Sequence, residues 1–200
     1  MKELSILNDK GQQVLLQTIE EVCGIHIPRD TAKFGTLSFH LYGYSHSPPA
    51  VGVIDTCFHI RWGIYTIFKS KHLKINPNAH FLADLQKDIR ASCRAIRKEF
   101  HRYAEEQLRS IVSIELEPQL QRRFTGLHSY RLGLCQGRQS LKKEENHGWP
   151  NYCIYISWYD ELDDFQEFLY PLKFDKDRHT FSIPVKQILD TFQRFRDTIV

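Results

Sequence analysis

Residues 78–111 read as one long helix, buried along one side and cationic along the other. Leu82, Leu85, Ile89, Cys93, Ile96, Phe100, Tyr103, Leu108 and Ile111 recur at steps of three to five, mostly three and four. At about 100° per residue these positions gather on one side of a helical cylinder. Lys87, Arg90, Arg94, Arg97, Lys98, His101 and Arg102 fall on the opposite side, and Asp88, Glu99 and Glu106 form a narrow row between the two. A chain built this way must supply something for the seam to pack on. It also presents a cationic ridge to a partner.

Strands supply the packing surface. Residues 36–44 alternate, with Leu37, Phe39 and Leu41 on one face and Ser38, His40, Tyr42 and Tyr44 on the other. A connection over 45–50, containing Pro48 and Pro49, leads to a second strand from Val51 to about Ile60. Residues 62–68 continue it after a bend or bulge at Gly63. Pairing Tyr44 with Val51 sets Leu41 opposite Ile54, Phe39 opposite Thr56 and Leu37 opposite Phe58, which makes one face largely apolar.

The remaining elements follow from the same periodicities. Val14, Leu15, Ile19 and Val22 mark a short N-terminal helix that Gly24 caps, and 28–33 reads as a loop. Asn76-Pro77 opens the long helix. Residues 118–124 form a short helical turn ended by Gly126. Residues 128–135 and 151–158 read as strands joined by a polar loop over 136–150, the segment expected to be most mobile. Residues 168–174 and 180–183 suggest a hairpin around 175–177, and Pro184 starts a final helix with Val185, Ile188, Leu189, Phe192, Phe195 and Ile199 inward. Strands on short loops imply antiparallel pairing, so the expected class is α+β: two hairpin or meander units packed on one central helix, with shorter helices at both ends. With 200 residues, 42% of them hydrophobic and 12% aromatic, the chain can bury a sizeable core. One domain over 1–200 is expected, and any subdomain break falls near 117–118.

Charge layout narrows the choice of partners more than the formal total of +3 does. Residues 118–143 hold Arg122, Arg123, Arg131, Arg138, Lys142 and Lys143 with no acid. Residues 144–172 hold Glu144, Glu145, Asp160, Glu161, Asp163, Asp164 and Glu167 with no Lys or Arg. The helix ridge and the basic block match a phosphate backbone, with Phe124, His128 and Tyr130 as stacking surfaces for unpaired bases. The plainer reading is a solvated helix face, because Arg and Lys are good helix formers.

A non-catalytic nucleic-acid-binding protein or subunit is therefore expected, its partner DNA or RNA. The alternative is a regulatory subunit that docks a charged partner protein. A third reading is a small acid–base enzyme, since the register above sets His40 across from Asp55, with His59 and Tyr42 on the same face. Cross-strand His–Asp pairs also arise for plain electrostatic reasons.

Other chemistry lacks its signatures. The acidic run 160–167 has neither the central glycine nor the alternate spacing of a calcium loop, so no metal is assigned. Cys23, Cys57, Cys93, Cys135 and Cys153 include no C-x-x-C pair and suit a reducing compartment. Gly63-Ile64-Tyr65 matches half of the GIY-YIG nuclease signature, but no Tyr-Ile-Gly follows. Arg94 and His101 have the spacing of helical HEPN-type RNases, whose all-helical fold this strand-rich chain does not share. No P-loop, dinucleotide fingerprint or nucleophile elbow occurs, so no cofactor is implied. No apolar run approaches about 18 residues, so a soluble, cytoplasmic protein without a membrane partner is expected.

Overall fold

The computed structural model describes residues 9–44, 54–70, 73–75, 81–127, 129–137 and 146–199, and they form an α+β chain. It divides into two compact units, residues 1–103 and 104–200. The division falls inside the long helix, ahead of 117–118.

Unit 1 opens with α1 (Asp9–Cys23), which buries Leu15, Ile19 and Cys23. Gly24 ends it at φ +60, a left-handed conformation that costs a glycine little. The expected loop over 28–33 holds a further short helix, α2 (Thr31–Phe34), because the Asp30 carboxylate accepts the Lys33 N–H and caps it. That turn carries Phe34 into the core.

Four strands follow: β1 (Leu37–Tyr44), β2 (Ile54–Trp62), β3 (Tyr65–Lys69) and β4 (Leu73–Ile75). The central strand β2 pairs antiparallel with β1 along one edge and with β3 and β4 along the other. Leu37 faces Trp62, Phe39 faces Ile60 and Leu41 faces Phe58, a register four residues away from the expected one. An even slip keeps every side chain on its face, so alternation alone could not detect it. Burial decides the matter: Phe58, Ile60 and Trp62 are fully enclosed, and Phe39 stacks on Phe58 at 6.1 Å. The connection over 45–53 lies outside the described residues. Gly63 does not bend a single strand. Gly63-Ile64 is a two-residue hairpin turn between β2 and β3, with φ +57 at Gly63, the first-position glycine such turns favour.

The apolar face of this sheet receives α3 (Phe81–Ile111). Leu85, Ile89, Ile96, Phe100 and Tyr103 are buried, and the Trp62 ring lies 5.2 Å from Phe100 and 4.7 Å from Tyr103. The Tyr103 hydroxyl donates to the Phe34 carbonyl at 2.9 Å. A Cβ at Gly63 would stand 3.0 Å from that hydroxyl, and one at Gly35 (φ +73) would stand 3.2 Å from Gly63 Cα. The Asn76-Pro77 start and the Leu82 side chain lie outside the described residues.

Unit 2 takes in the end of α3, a π-helical segment (Val112–Leu116) and α4 (Glu117–Arg123), which run on without a break. The expected separate turn after residue 117 is absorbed here. Pro118 has no N–H, and its ring presses on the carbonyl four residues back; the wider π closure, with the Glu117 N–H reaching Val112 O, makes room.

A second antiparallel sheet follows in the order β5 (Tyr130–Gln136), β6 (Tyr152–Tyr159), β7 (Phe165–Pro171). The strand expected over 168–174 is in fact two: β7 starts earlier and pairs with β6, while β8 (Phe174–Asp175) pairs with β9 (Thr180–Phe181). The last helix, α5 (Val185–Ile199), inserts Phe192 among Phe124, Trp158 and Phe168 at centroid distances of 4.9, 5.2 and 5.3 Å. Asn146 is buried and ties the segment before β6 to β8: its amide donates to Pro150 O at 2.6 Å while its oxygen accepts the Phe174 N–H at 2.9 Å. The rest of the polar loop, 138–145, lies outside the described residues, as does His128.

All five cysteines are free. Burial, and then the neighbouring Cys93, push the Cys23 thiol up to about 11, so it stays protonated and inert at neutral pH. No helix among the described residues is long and apolar enough to cross a membrane.

Candidate nucleic-acid interface

The α3 ridge emerges on the side of the helix opposite its buried seam. Lys87, Arg90, Arg94 and Lys98 are exposed and form no ion pair among the described residues. At 1.5 Å per residue they span about 16 Å. The other three expected members are engaged or withdrawn. Arg102 donates through Nε and Nη2 to Glu99 at 3.0 and 2.8 Å. Arg97 is half-buried and its charge acts on the Cys23 thiol, which it lowers against burial. His101 is half-buried.

The second basic block belongs to unit 2 and is only partly available. Arg122 and Arg131 are exposed. Arg123 bonds the Asp190 carboxylate and lies over the Phe124 ring, 5.6 Å from its centroid. That hydrogen bond holds the Asp190 carboxyl below its ordinary range. Arg123 is thus a structural link between α4 and α5. Phe124 is no stacking surface, since only 5% of it is exposed and it packs against Phe192. Arg138, Lys142 and Lys143 lie outside the described residues.

The acidic run forms the turn between β6 and β7. The Asp160 carboxylate accepts the Asp164 and Leu162 N–H groups at 2.9 and 3.0 Å and the Gln166 amide at 2.8 Å. These bonds, the one from Asp164 foremost, pull its carboxyl below the ordinary range. Asp163 takes φ +64 to close the turn.

The register separates His40 from Asp55. His40 stands opposite His59, while Asp55 stands opposite Tyr44, four residues or about 13 Å further along the strand. The polar face of the first sheet instead collects Ser38, His40, His59, Arg61 and Lys69. Ser38 is paired with Arg61, and His59 with both His40 and Lys69. Ser38 Oγ and His40 Nε2 are hydrogen bonded at 2.9 Å. Arg61 and Lys69 were not anticipated. Alternation along residues 54–69 carries the signal, but it becomes legible only with the correct pairing.

Charge divides between the units as the ridge suggests. Residues 1–103 contain fourteen Lys and Arg against nine Asp and Glu, whereas 104–200 contain thirteen against fifteen. Comparison with protein-family models, curated proteins and solved structures finds no match to this chain.

Proposed function

We propose that this chain binds nucleic acid without catalysis, through the exposed face of α3 in unit 1. The supporting observation is the row of four bases, Lys87, Arg90, Arg94 and Lys98, with no acid paired to them among the described residues. Neighbouring members lie within about one helical turn of each other, which suits successive phosphates of a backbone. An interface of this kind gives salt-dependent affinity with little base readout. Four phosphate contacts imply a slope of log K against log salt near about −3.6 for duplex DNA and about −2.8 for single strands. The reading takes the protein as soluble and cytoplasmic.

Fluorescence anisotropy with DNA and RNA, each single- and double-stranded, tests it. Arg90→Glu with Arg94→Glu is expected to weaken binding of all sequences alike and to flatten the salt slope by about two units. No binding of any of the four probes at low ionic strength defeats the proposal.

The rival reading, a regulatory subunit docking a partner protein, draws on unit 2. There Tyr159, Leu162, Phe165 and Leu169 are 59%, 83%, 60% and 47% exposed around the acidic turn. Light scattering that finds the same monomer in wild type and Phe165→Asp removes the self-associating form of that reading.

A further inference from the structure

The outer face of the unit 1 sheet gathers two permanent cations, two imidazoles and a hydroxyl. Two adjacent rows cross it: Ser38–Arg61–Thr66 and His40–His59–Lys69. Neither contains an acid. The nearest acid in register, Asp55, lies two rows beyond His59 and faces Lys74 and Tyr44. Arg61 and Lys69 form no ion pair among the described residues. Arg61 Nε is moreover withdrawn from solvent without a hydrogen-bond partner there. A buried, unpaired donor on a guanidinium is costly, and the half-buried Arg61 side chain is only partly screened. Like charges on adjacent strands repel, so an apo surface of this kind is stabilised by an anion.

We infer that this face binds a single phosphomonoester dianion, held by Arg61 and Lys69, the imidazoles of His40 and His59, and the Ser38 hydroxyl. Size argues for one phosphate rather than a strand. Three strands about 4.8 Å apart and two residues along each give a patch of about 10 by 7 Å, against the roughly 16 Å of the α3 ridge. Charge argues for the dianion: two permanent cations match its two negative charges, and the imidazoles add donors. The site is independent of the α3 ridge, which lies on the helix face turned away from this sheet.

The histidines make binding pH-dependent. Burial first, then Lys69, Arg61 and His40, hold the His59 imidazole below its ordinary value. These are the charged groups facing it from β1, β2 and β3. A bound dianion offsets the repulsion from these cations and favours the imidazolium, so binding takes up a proton. Affinity rises as pH falls from about 8 to about 6.5, where the monoester keeps most of its second charge.

Calorimetric titration of the full chain with inorganic phosphate, a nucleoside monophosphate and dimethyl phosphate tests this. Phosphate and the monoester are expected to bind, and the diester to bind at least about tenfold more weakly. Arg61→Gln and Lys69→Gln are each expected to cost about tenfold in monoester affinity, and Arg61→Lys to recover part of it. Lys69 is exposed, so Lys69→Gln reads the site even if Arg61→Gln fails to fold. The imidazole titration of His59, followed by proton NMR, is expected to move up when phosphate is added. Absence of monoester binding, equal affinity for the diester, or binding that both glutamine variants leave unchanged overturns the inference. Loss of nucleic-acid binding in Lys69→Gln, with no monoester bound, gives the face to the polymer and overturns it equally.

Discussion

Both units set an antiparallel sheet against helices, yet they furnish the other face of the sheet differently. In unit 1 that face holds Ser38, His40, His59, Arg61 and Lys69. In unit 2 it holds Tyr155, Tyr159, Phe165 and Leu169, crossed by one polar row of Arg131, Ser157 and Glu167, with the Tyr155 ring lying over Gly133. A Cβ at Gly133 would come within 2.8 Å of that ring, so the glycine is what lets the tyrosine lie flat across the sheet. Their cores are alike in one respect: each has a central ring, Trp62 among Phe34, Phe100 and Tyr103 in unit 1, and Phe192 among Phe124, Trp158 and Phe168 in unit 2. One sheet architecture can therefore carry a polar, cation-bearing face or a largely aromatic and aliphatic one, and the choice lies in the outward residues of the same two-residue period.

The largest effect should come from the aromatic core. Phe192→Ala removes a fully buried ring with three aromatic neighbours and is expected to cost about 3–5 kcal/mol by urea denaturation. A loss under about 1 kcal/mol would mean that unit 2 is not organised around this ring. Gly63→Ala probes unit 1 at its hairpin. The positive φ alone costs about 1–2 kcal/mol, and the Tyr103 hydroxyl must also give way. An unchanged melting temperature would show that the turn and the tyrosine do not constrain each other.

A pH titration separates the units more finely. The Asp160 carboxyl is depressed in the fold, so its contribution is complete above its unfolded value and is lost as pH falls through the folded one. Hydrogen-exchange protection at Leu162 and Asp164, taken relative to the intrinsic rate at each pH, is expected to fall in wild type as acid passes below about pH 4. In Asp160→Asn it should be low throughout. Identical profiles for the two proteins would remove Asp160 as organiser of the turn. The smallest effect is expected on the ridge, where Arg90→Glu with Arg94→Glu should change stability by no more than about 0.5 kcal/mol per site. A larger loss would make the ridge a structural feature of unit 1.

Periodicity made the elements readable. The step of three and four found α3, and strict alternation found the faces of β1 and β2. It could not find what is set by tertiary fit. The four-residue slip is invisible to a two-residue period and was decided by burial of Phe58, Ile60 and Trp62. Continuity through Pro118 depended on a π closure that no composition rule signals. The ridge was legible as a cationic stripe, but its division into four open bases and three engaged or withdrawn ones was not. That division rests on local partners, such as Glu99 for Arg102. The sheet-face cluster was the hardest to see, because Arg61 and Lys69 come together with His40 only under the correct pairing.

Gly35, Gly63 and Tyr103 lie far apart along the chain and meet at one point. For lineage this has a definite consequence. Surface charges and loop lengths could drift in a descendant of this chain, each by small tolerated steps. A change at any one of these three carries a cost: a Cβ at either positive-φ glycine meets the hydroxyl or the other glycine at 3.0–3.2 Å, and loss of the hydroxyl removes its bond to the Phe34 carbonyl. Two glycines and a tyrosine at this spacing are thus the signature by which a distant cousin should be sought, after the rest of the text has become unrecognisable.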